Sequence, residues 1–209
     1  MQNYQTKDET ITVSNIDYLI HSLKDRQQFY DHEQLAEDIG ISSATWSLFG
    51  VVWPSSRILA ATVCILDFEG KRVLEIGCGL GLSSIVLHGM GVDITASDYH
   101  PLAKEFLDEN VVRNKMLPIK FQTGNWEADN PLLGKFDMII GSDVLYEPAH
   151  AESVSRFIDS HSSNNVKVVI VDPNRGNRAN FTKKMIALGY AHQFEYFNQQ
   201  GSDEVSCKG

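Results

Sequence analysis

The stretch Val73-Leu74-Glu75-Ile76-Gly77-Cys78-Gly79-Leu80-Gly81 sets a short apolar strand directly against three alternating glycines, and a helix-like pattern follows from Leu82 to Met90. Val73, Leu74 and Ile76 suit a buried strand. Gly77, Gly79 and Gly81 lack Cβ, so the backbone can turn tightly there and come close to a ligand. The dinucleotide fingerprint G-x-G-x-x-G requires its third glycine at position 82, which is Leu82. The loop is therefore of a nucleotide-binding kind with a different spacing. After the helix pattern, V-D-I-T-A-S-D over 92–98 reads as a second strand ending in Asp98. An acid at that point of a βαβ unit lies beside the first loop and can accept hydrogen bonds from ribose hydroxyls.

Outward from this unit, strands at 72–76, 92–97, 119–123, 136–141 and 166–171 alternate with helices at 81–90, 101–114, 148–161 and 177–188. Such alternation predicts an α/β fold, Rossmann-like, with a mostly parallel twisted sheet and helices on both faces. Pro101 suits a first helical turn, and Gly89 with Gly91 suits a helix exit. Upstream, Pro54 with Ser55 and Ser56 marks a helix start, and Ile58, Leu59, Thr62, Val63 and Leu66 form its apolar stripe. Residues 1–50 are polar and weakly periodic, with Thr10–Val13 as a strand candidate and Tyr18–Leu23 as a second short element. A segment of this kind either caps a site or extends the domain. At the other end, Tyr190–Asn198 and Glu204–Cys207 read as an antiparallel hairpin closing the sheet edge.

With 209 residues, 43% hydrophobic and 22% charged, the chain is expected to form a single domain over 1–209, with 51–209 as its core, and to be a monomer. A formal net charge of -9 would repel a phosphate backbone, which disfavours nucleic acid as a partner. The densest basic segment, Asn174 to Lys184, reads as a solvated helix face. Cys64, Cys78 and Cys207 are odd in number and form no C-x-x-C, so a reducing, cytoplasmic setting is expected and a disulfide framework is not. The longest strongly apolar run, Ile58 to Leu66, is too short to span a bilayer, and no membrane partner is expected. The seven histidines lack metal-ligand spacing, and no metal is required. A G-x-S-x-G nucleophile elbow is missing too, so the sequence offers no hydrolase chemistry.

The order strand, E-x-G-x-G-x-G, helix, strand and terminal acid resembles motif I and its successor in the class I (seven-β-strand) S-adenosylmethionine-dependent methyltransferases. Trp53-Pro54 before a small-residue helix resembles the Trp-containing segment of the protein-lysine methyltransferases of that class. Asp143 and Tyr146, in S-D-V-L-Y-E-P after the fourth parallel strand, resemble their post-II motif, Asp/Glu-x-x-Tyr/Phe. Asp172-Pro173-Asn174-Arg175 resembles a D-P-x-R sequence of the same broad group. The resemblance implies that the glycine loop with Glu75 and Cys78 holds the amino-acid end of S-adenosylmethionine and that Asp98, with Tyr99, meets the ribose. Asn125 would lie by the adenine, and Trp126 would either stack on it or close the core; Trp53, which on spacing alone reads as a core or staple aromatic, would lie with Ser142 beside the bound cofactor.

The reaction so implied is attack of a neutral amine on a sulfonium methyl, leaving S-adenosylhomocysteine. A lysine ammonium has an ordinary pKa of about 10.4, so such a site must help to remove a proton and hold the amine in line. Asp143 and Tyr146 are the catalytic candidates, and the expected acceptor is a lysine of a protein. A small-molecule amine methyltransferase would share every cofactor motif. A non-catalytic cofactor-binding partner protein would keep the loop without needing D-x-x-Y, and an NAD-dependent oxidoreductase is disfavoured by the glycine spacing.

Overall fold

The computed structural model describes residues 4–197, built around a five-stranded parallel sheet. The elements run β1 (Thr6–Val13), β2 (Ile16–Leu23), α1 (Pro54–Val63), β3 (Arg72–Ile76), α2 (Leu82–Gly89), β4 (Asp93–Asp98), α3 (Ala103–Arg113), β5 (Lys120–Thr123), β6 (Phe136–Ser142), α4 (His150–His161), β7 (Ser162–Val171) and α5 (Arg178–Ala187). Short 3-10 turns occupy Glu37–Ile39 and Trp46–Gly50. The sheet order is β5-β4-β3-β6-β7. This puts β3 in the centre, paired in parallel with β4 on one side and β6 on the other. The loops leaving β3 and β6 therefore diverge, and open α/β sheets bind ligands outside the strand carboxyl ends at such a switch point.

Strand alternation sorts side chains between two cores. Val73 packs with apolar residues of α1, α2 and α3, whereas Leu74 and Ile76 pack with those of α4 and α5. Glu75 shares the face of Val73 and so meets α2. Pro54 sits in the first turn of α1, as expected, because its missing N–H would have no partner there anyway. Pro101 does not open α3. Asp98 accepts the His100 N–H at 2.8 Å, which fixes a bend at the exit of β4, and the helix begins only at Ala103, whose N–H donates to the His100 carbonyl.

The N-terminal segment forms a hairpin in which β1 and β2 pair antiparallel and Val13 opposes Ile16. Its two-residue turn places Ser14 and Asn15 at φ 49° and 65°, the left-handed pair that matches strand twist. Ile11, Val13, Tyr18 and Ile20 are buried and join the core around α1 to α3. The outer edge of β2 is completed by side chains of α3. Asn114 accepts the Leu19 N–H at 2.9 Å and donates to the Leu19 carbonyl at 2.8 Å. Asn110 makes the same pair of bonds to His21. Two amides one helical turn apart thus stand in for a neighbouring strand.

At the C-terminal end, residues 190–197 form no strand. A strand requires a hydrogen-bonded neighbour, and the second arm of the expected hairpin, Glu204–Cys207, lies outside the described residues with the turn that would join them. The basic segment also departs from a purely solvated face: Arg175 precedes α5 and pairs with Asp143, and Lys184 pairs with Glu152 of α4.

Candidate active site

A cleft of about 460 Å³ opens at the carboxyl ends of β3, β4 and β6, within the range of roughly 300–1,000 Å³ typical of small-molecule sites. Trp53, Gly77, Cys78, Gly79, Asp98, Tyr99, Asn125, Trp126, Ser142, Asp143 and Tyr146 all line it; Glu75 and Gly81 do not.

The glycine loop is shaped by what surrounds it. Gly77 and Gly79 hold φ of +57° and +53°, a region that costs other residues strain. A Cβ on Gly77 would stand 3.1 Å from the Trp126 ring, and one on Gly79 would stand 2.7 Å from the Phe49 carbonyl oxygen. Gly81 is the left-handed residue before α2, and a Cβ there would strike Leu107 of α3 at 2.3 Å. Its role is helix packing. Glu75 is 2% exposed and accepts the Ser84 N–H at 2.8 Å along with the Ser84 hydroxyl. Burial pushes its carboxyl up to about 7. The carboxyl is thus placed behind the loop, fastening α2, because position 75 faces that helix and not the cleft.

Asp98 faces the loop. One of its oxygens accepts the Gly79 N–H and the other the His100 N–H, each at 2.8 Å. Burial raises its pKa against the opposing pull of these amides. The Tyr99 amide pulls the same way, and a carboxylate with about four acceptor sites keeps capacity beyond these three amides. Burial also drives the Cys78 thiol well above its ordinary pKa, which leaves it unreactive. The Asn125 side-chain oxygen accepts the Glu127 N–H at 2.8 Å, and the Asn125 N–H donates to Asn130 at 2.9 Å, so the residue shapes its own turn.

On the other side of the cleft, Asp143 has φ +54° and donates its N–H to the Val171 carbonyl. Its carboxylate is clasped by Arg175, Nε to one oxygen and Nη2 to the other, both at 2.7 Å. The guanidinium carbons of Arg175 and Arg26 lie 5.5 and 5.3 Å from the centre of the Trp53 ring. The ring expected beside the cofactor therefore already meets two resident cations. The Trp53 indole N–H donates to the Leu48 carbonyl at 2.9 Å. Burial, with smaller contributions from Asp98, Glu147 and Asp143, pushes the Tyr146 phenol up to about 12. Some 40% of that residue is exposed, and the phenol stays protonated at neutral pH.

Sequence reasoning missed two groups. His150 lies edge-on to Tyr146 at 4.4 Å and to Trp126 at 5.1 Å, bridging the two halves of the cleft. The roof is the other, formed by residues between Ile39 and Phe49. Tyr99 donates its hydroxyl to the Ile39 carbonyl at 3.2 Å, and His100 stacks on Phe49 at 3.8 Å between ring centres. Burial lowers the His100 pKa to about 3, so it acts as a neutral aromatic. The only signal was a cluster of apolar residues, Ile39, Ile41, Trp46, Leu48 and Phe49, at no helix or strand period. Among the described residues, no group of three His, Cys, Asp or Glu side chains could hold a metal ion.

This architecture is that of the Rossmann-like methyltransferases. A methyltransferase from Pyrococcus furiosus matches with a TM-score of 0.59 and 19% identity, covering 70% of this chain and 77% of that one. The T. thermophilus 16S rRNA N2 G1207 methyltransferase, solved with AdoMet and guanosine, also gives 0.59, at 16% identity over 86% of this chain and 46% of that one. At such identities the likeness is one of fold. A family model described as lysine methyltransferase matches residues 32–187, and the chain belongs to that family.

Curated relatives include the Danio rerio protein N-lysine methyltransferase METTL21A, 30% identical over 61% of this chain and 63% of the relative. The Xenopus laevis electron transfer flavoprotein beta subunit lysine methyltransferase is 30% identical over 62% and 52%. A Dictyostelium discoideum histidine protein methyltransferase 1 homolog is 35% identical over 49% and 35%. The matched region thus spans between about a third and two thirds of these relatives' lengths.

Proposed function

We propose that the protein transfers a methyl group from S-adenosylmethionine to a lysine side chain of a protein. One observation carries the reading: a single cleft joins the glycine loop and Asp98 to the D-x-x-Y residues Asp143 and Tyr146. The donor half fits the cofactor. Gly77 and Gly79 present backbone without a side chain to the cleft, and Asp98 keeps acceptor capacity beyond the amides it braces. When bound, S-adenosylmethionine supplies a sulfonium methyl open to displacement. In this reading Asp98 holds ribose hydroxyls, Trp126 and Asn125 border the adenine, and Ser142, Tyr99 and Cys78 complete the wall. Glu75 supports from behind. Tyr146, protonated at neutral pH, positions the acceptor by hydrogen bonding and does not act as a base.

The described residues act as one unit here, because the N-terminal hairpin shares the core beneath α1 to α3. Cys64 and Cys78 are both free, in keeping with a reducing, cytoplasmic setting. No helix among the described residues is long and apolar enough to cross a membrane.

The histidine-methylating relative favours a second acceptor, a protein histidine. Incubating the purified protein with tritiated S-adenosylmethionine and cell lysate, then hydrolysing the labelled protein, separates the possibilities. Label in methyl-lysine supports the proposal, and label in methyl-histidine replaces the acceptor. Label confined to small molecules shifts the reading to a small-amine enzyme, and cofactor binding with no transfer to a non-catalytic partner. Tyr146→Ala is expected to depress transfer at least tenfold with S-adenosylhomocysteine affinity near wild type, as for a group acting on the transition state (about 1.4 kcal/mol per decade). Affinity and turnover falling together would make Tyr146 a packing residue.

A further inference from the structure

Asp143 lies where an incoming ammonium would be expected to bind, yet each of its carboxylate oxygens already accepts from an arginine. Both oxygens accept from the Arg175 fork at 2.7 Å. Only 8% of the Asp143 side chain reaches solvent, against 41% for Arg175, so the arginine covers the carboxylate from the solvent side. Both residues line the cleft with Tyr146.

The backbone around Arg175 is set independently of the fork. Asp172 accepts the Asn174 N–H at 2.7 Å, and Asn177 donates to the Leu145 carbonyl at 2.8 Å. The 172–177 turn is thereby pinned to the strand exits, with Asn174 and Gly176 at φ 62° and 100°. Release of the fork is then a side-chain movement within a fixed loop.

We propose that Arg175 is a specificity-determining residue: it holds Asp143 closed to free amines and yields it only to a lysine delivered on a protein surface. The inference rests on the lysine-acceptor reading of the cleft and adds a reason for its choice of substrate class. A planar guanidinium bonded twice to a carboxylate outcompetes a compact ammonium, which makes a point contact. An amine free in water brings nothing more. A lysine on a protein brings the contacts of its surroundings, and that binding energy offsets the cost of displacing Arg175. A site open only a fraction of the time weakens its ligand by that fraction, so a closed state occupied about 90% of the time lowers affinity roughly tenfold. The chemistry is unchanged. The ammonium loses its proton to water, the nitrogen lone pair forms the new N–C bond, and the S–C bonding pair returns to sulfur.

The experiment compares wild type, Arg175→Gln and Arg175→Lys with tritiated S-adenosylmethionine and n-butylamine, the lysine side chain without its protein. Wild type is expected to label butylamine slowly, Arg175→Gln roughly tenfold or more faster, and Arg175→Lys, which keeps the charge and loses the fork, in between. All three should bind S-adenosylhomocysteine equally by calorimetry. Wild type methylating butylamine as fast as Arg175→Gln overturns the inference, as does an Arg175→Gln protein that binds S-adenosylhomocysteine and remains silent. In either case, wild-type labelling of lysine in lysate protein leaves the parent reading standing. Loss of lysate labelling from every variant removes the parent reading and this one together. A second measurement needs no variant. In wild type with ¹⁵N-labelled arginine, the bonded Nε–H resonance of Arg175 should persist through a butylammonium titration, and its collapse to an exposed position would overturn the proposal even if the glutamine variant failed to fold.

Discussion

Glu75 gives the glycine loop a pH dependence that can be worked out from its surroundings. Its carboxyl is buried, and burial raises its pKa from 4.5 to about 7 while Ser84 pulls the other way. A raised folded-state pKa means that the native state holds a proton the unfolded chain has released, so unfolding becomes easier as pH climbs between those two values. Stability from this residue is fully present below about pH 4.5 and lost by the time pH has risen through about 7. Glu75→Gln keeps an oxygen to accept the Ser84 N–H and removes the titration. Denaturant unfolding at pH 5 and pH 8 should show the wild type losing on the order of 3 kcal/mol more than the variant across that interval. An identical pH dependence in both would place the ionised carboxylate in a better-solvated position than its 2% exposure implies. Glu75 could be picked out from its place before Gly77, but not its direction, because a cofactor-facing and a helix-facing side chain read alike in a strand that is buried on both faces.

The glycine loop and the two elements that press on it were legible to different degrees. The loop, Asp98 and the D-x-x-Y exit are patterns of neighbouring residues, and the strand and helix periods around them are regular, so they could be read locally. The roof is built of short 3-10 turns whose apolar residues follow no helix or strand period, and its contact with the loop joins positions about thirty apart. Arg175 and Asp143 lie 32 residues apart and meet only because β6 and β7 end side by side. Gly79 and Gly81 separate the two kinds of neighbour. Gly79→Ala must push back the Phe49 carbonyl, 2.7 Å from the new Cβ, and so displace the Trp46–Gly50 turn over the cleft. Gly81→Ala instead meets Leu107 of α3 outside the cleft. Each should cost about 1–3 kcal/mol of stability from overpacking and left-handed strain. By calorimetry only Gly79→Ala should lower S-adenosylhomocysteine affinity out of proportion, and equal losses of affinity would mean that the roof is not set by this contact.

Across the whole molecule, the hairpin, the roof and the loop form one line of contacts, and this gives the N-terminal segment a function beyond covering apolar surface. Leu23, at the end of β2, is fully buried and packs so closely on Gly50 that a Cβ there would lie 2.5 Å from its side chain. Gly50 ends the turn whose Phe49 carbonyl lies over Gly79, and Asp98 fixes Gly79 from below. Leu23→Ala should therefore do two things. It should lower stability by about 2–5 kcal/mol, as for other buried leucines, and loosen the roof of the cleft. Ile158→Ala provides the comparison, since Ile158 is equally buried but belongs to the core of α4 and α5 on the opposite face of the sheet. Both variants should unfold at lower denaturant. With calorimetry kept to conditions in which each is folded, Leu23→Ala should weaken S-adenosylhomocysteine by about 1 kcal/mol, roughly fivefold in Kd, and Ile158→Ala should leave it unchanged. If both leave the affinity alone, the hairpin supports the core and not the site. If both weaken it alike, binding follows global stability, and the line from β2 through the roof to the glycine loop carries no coupling of its own.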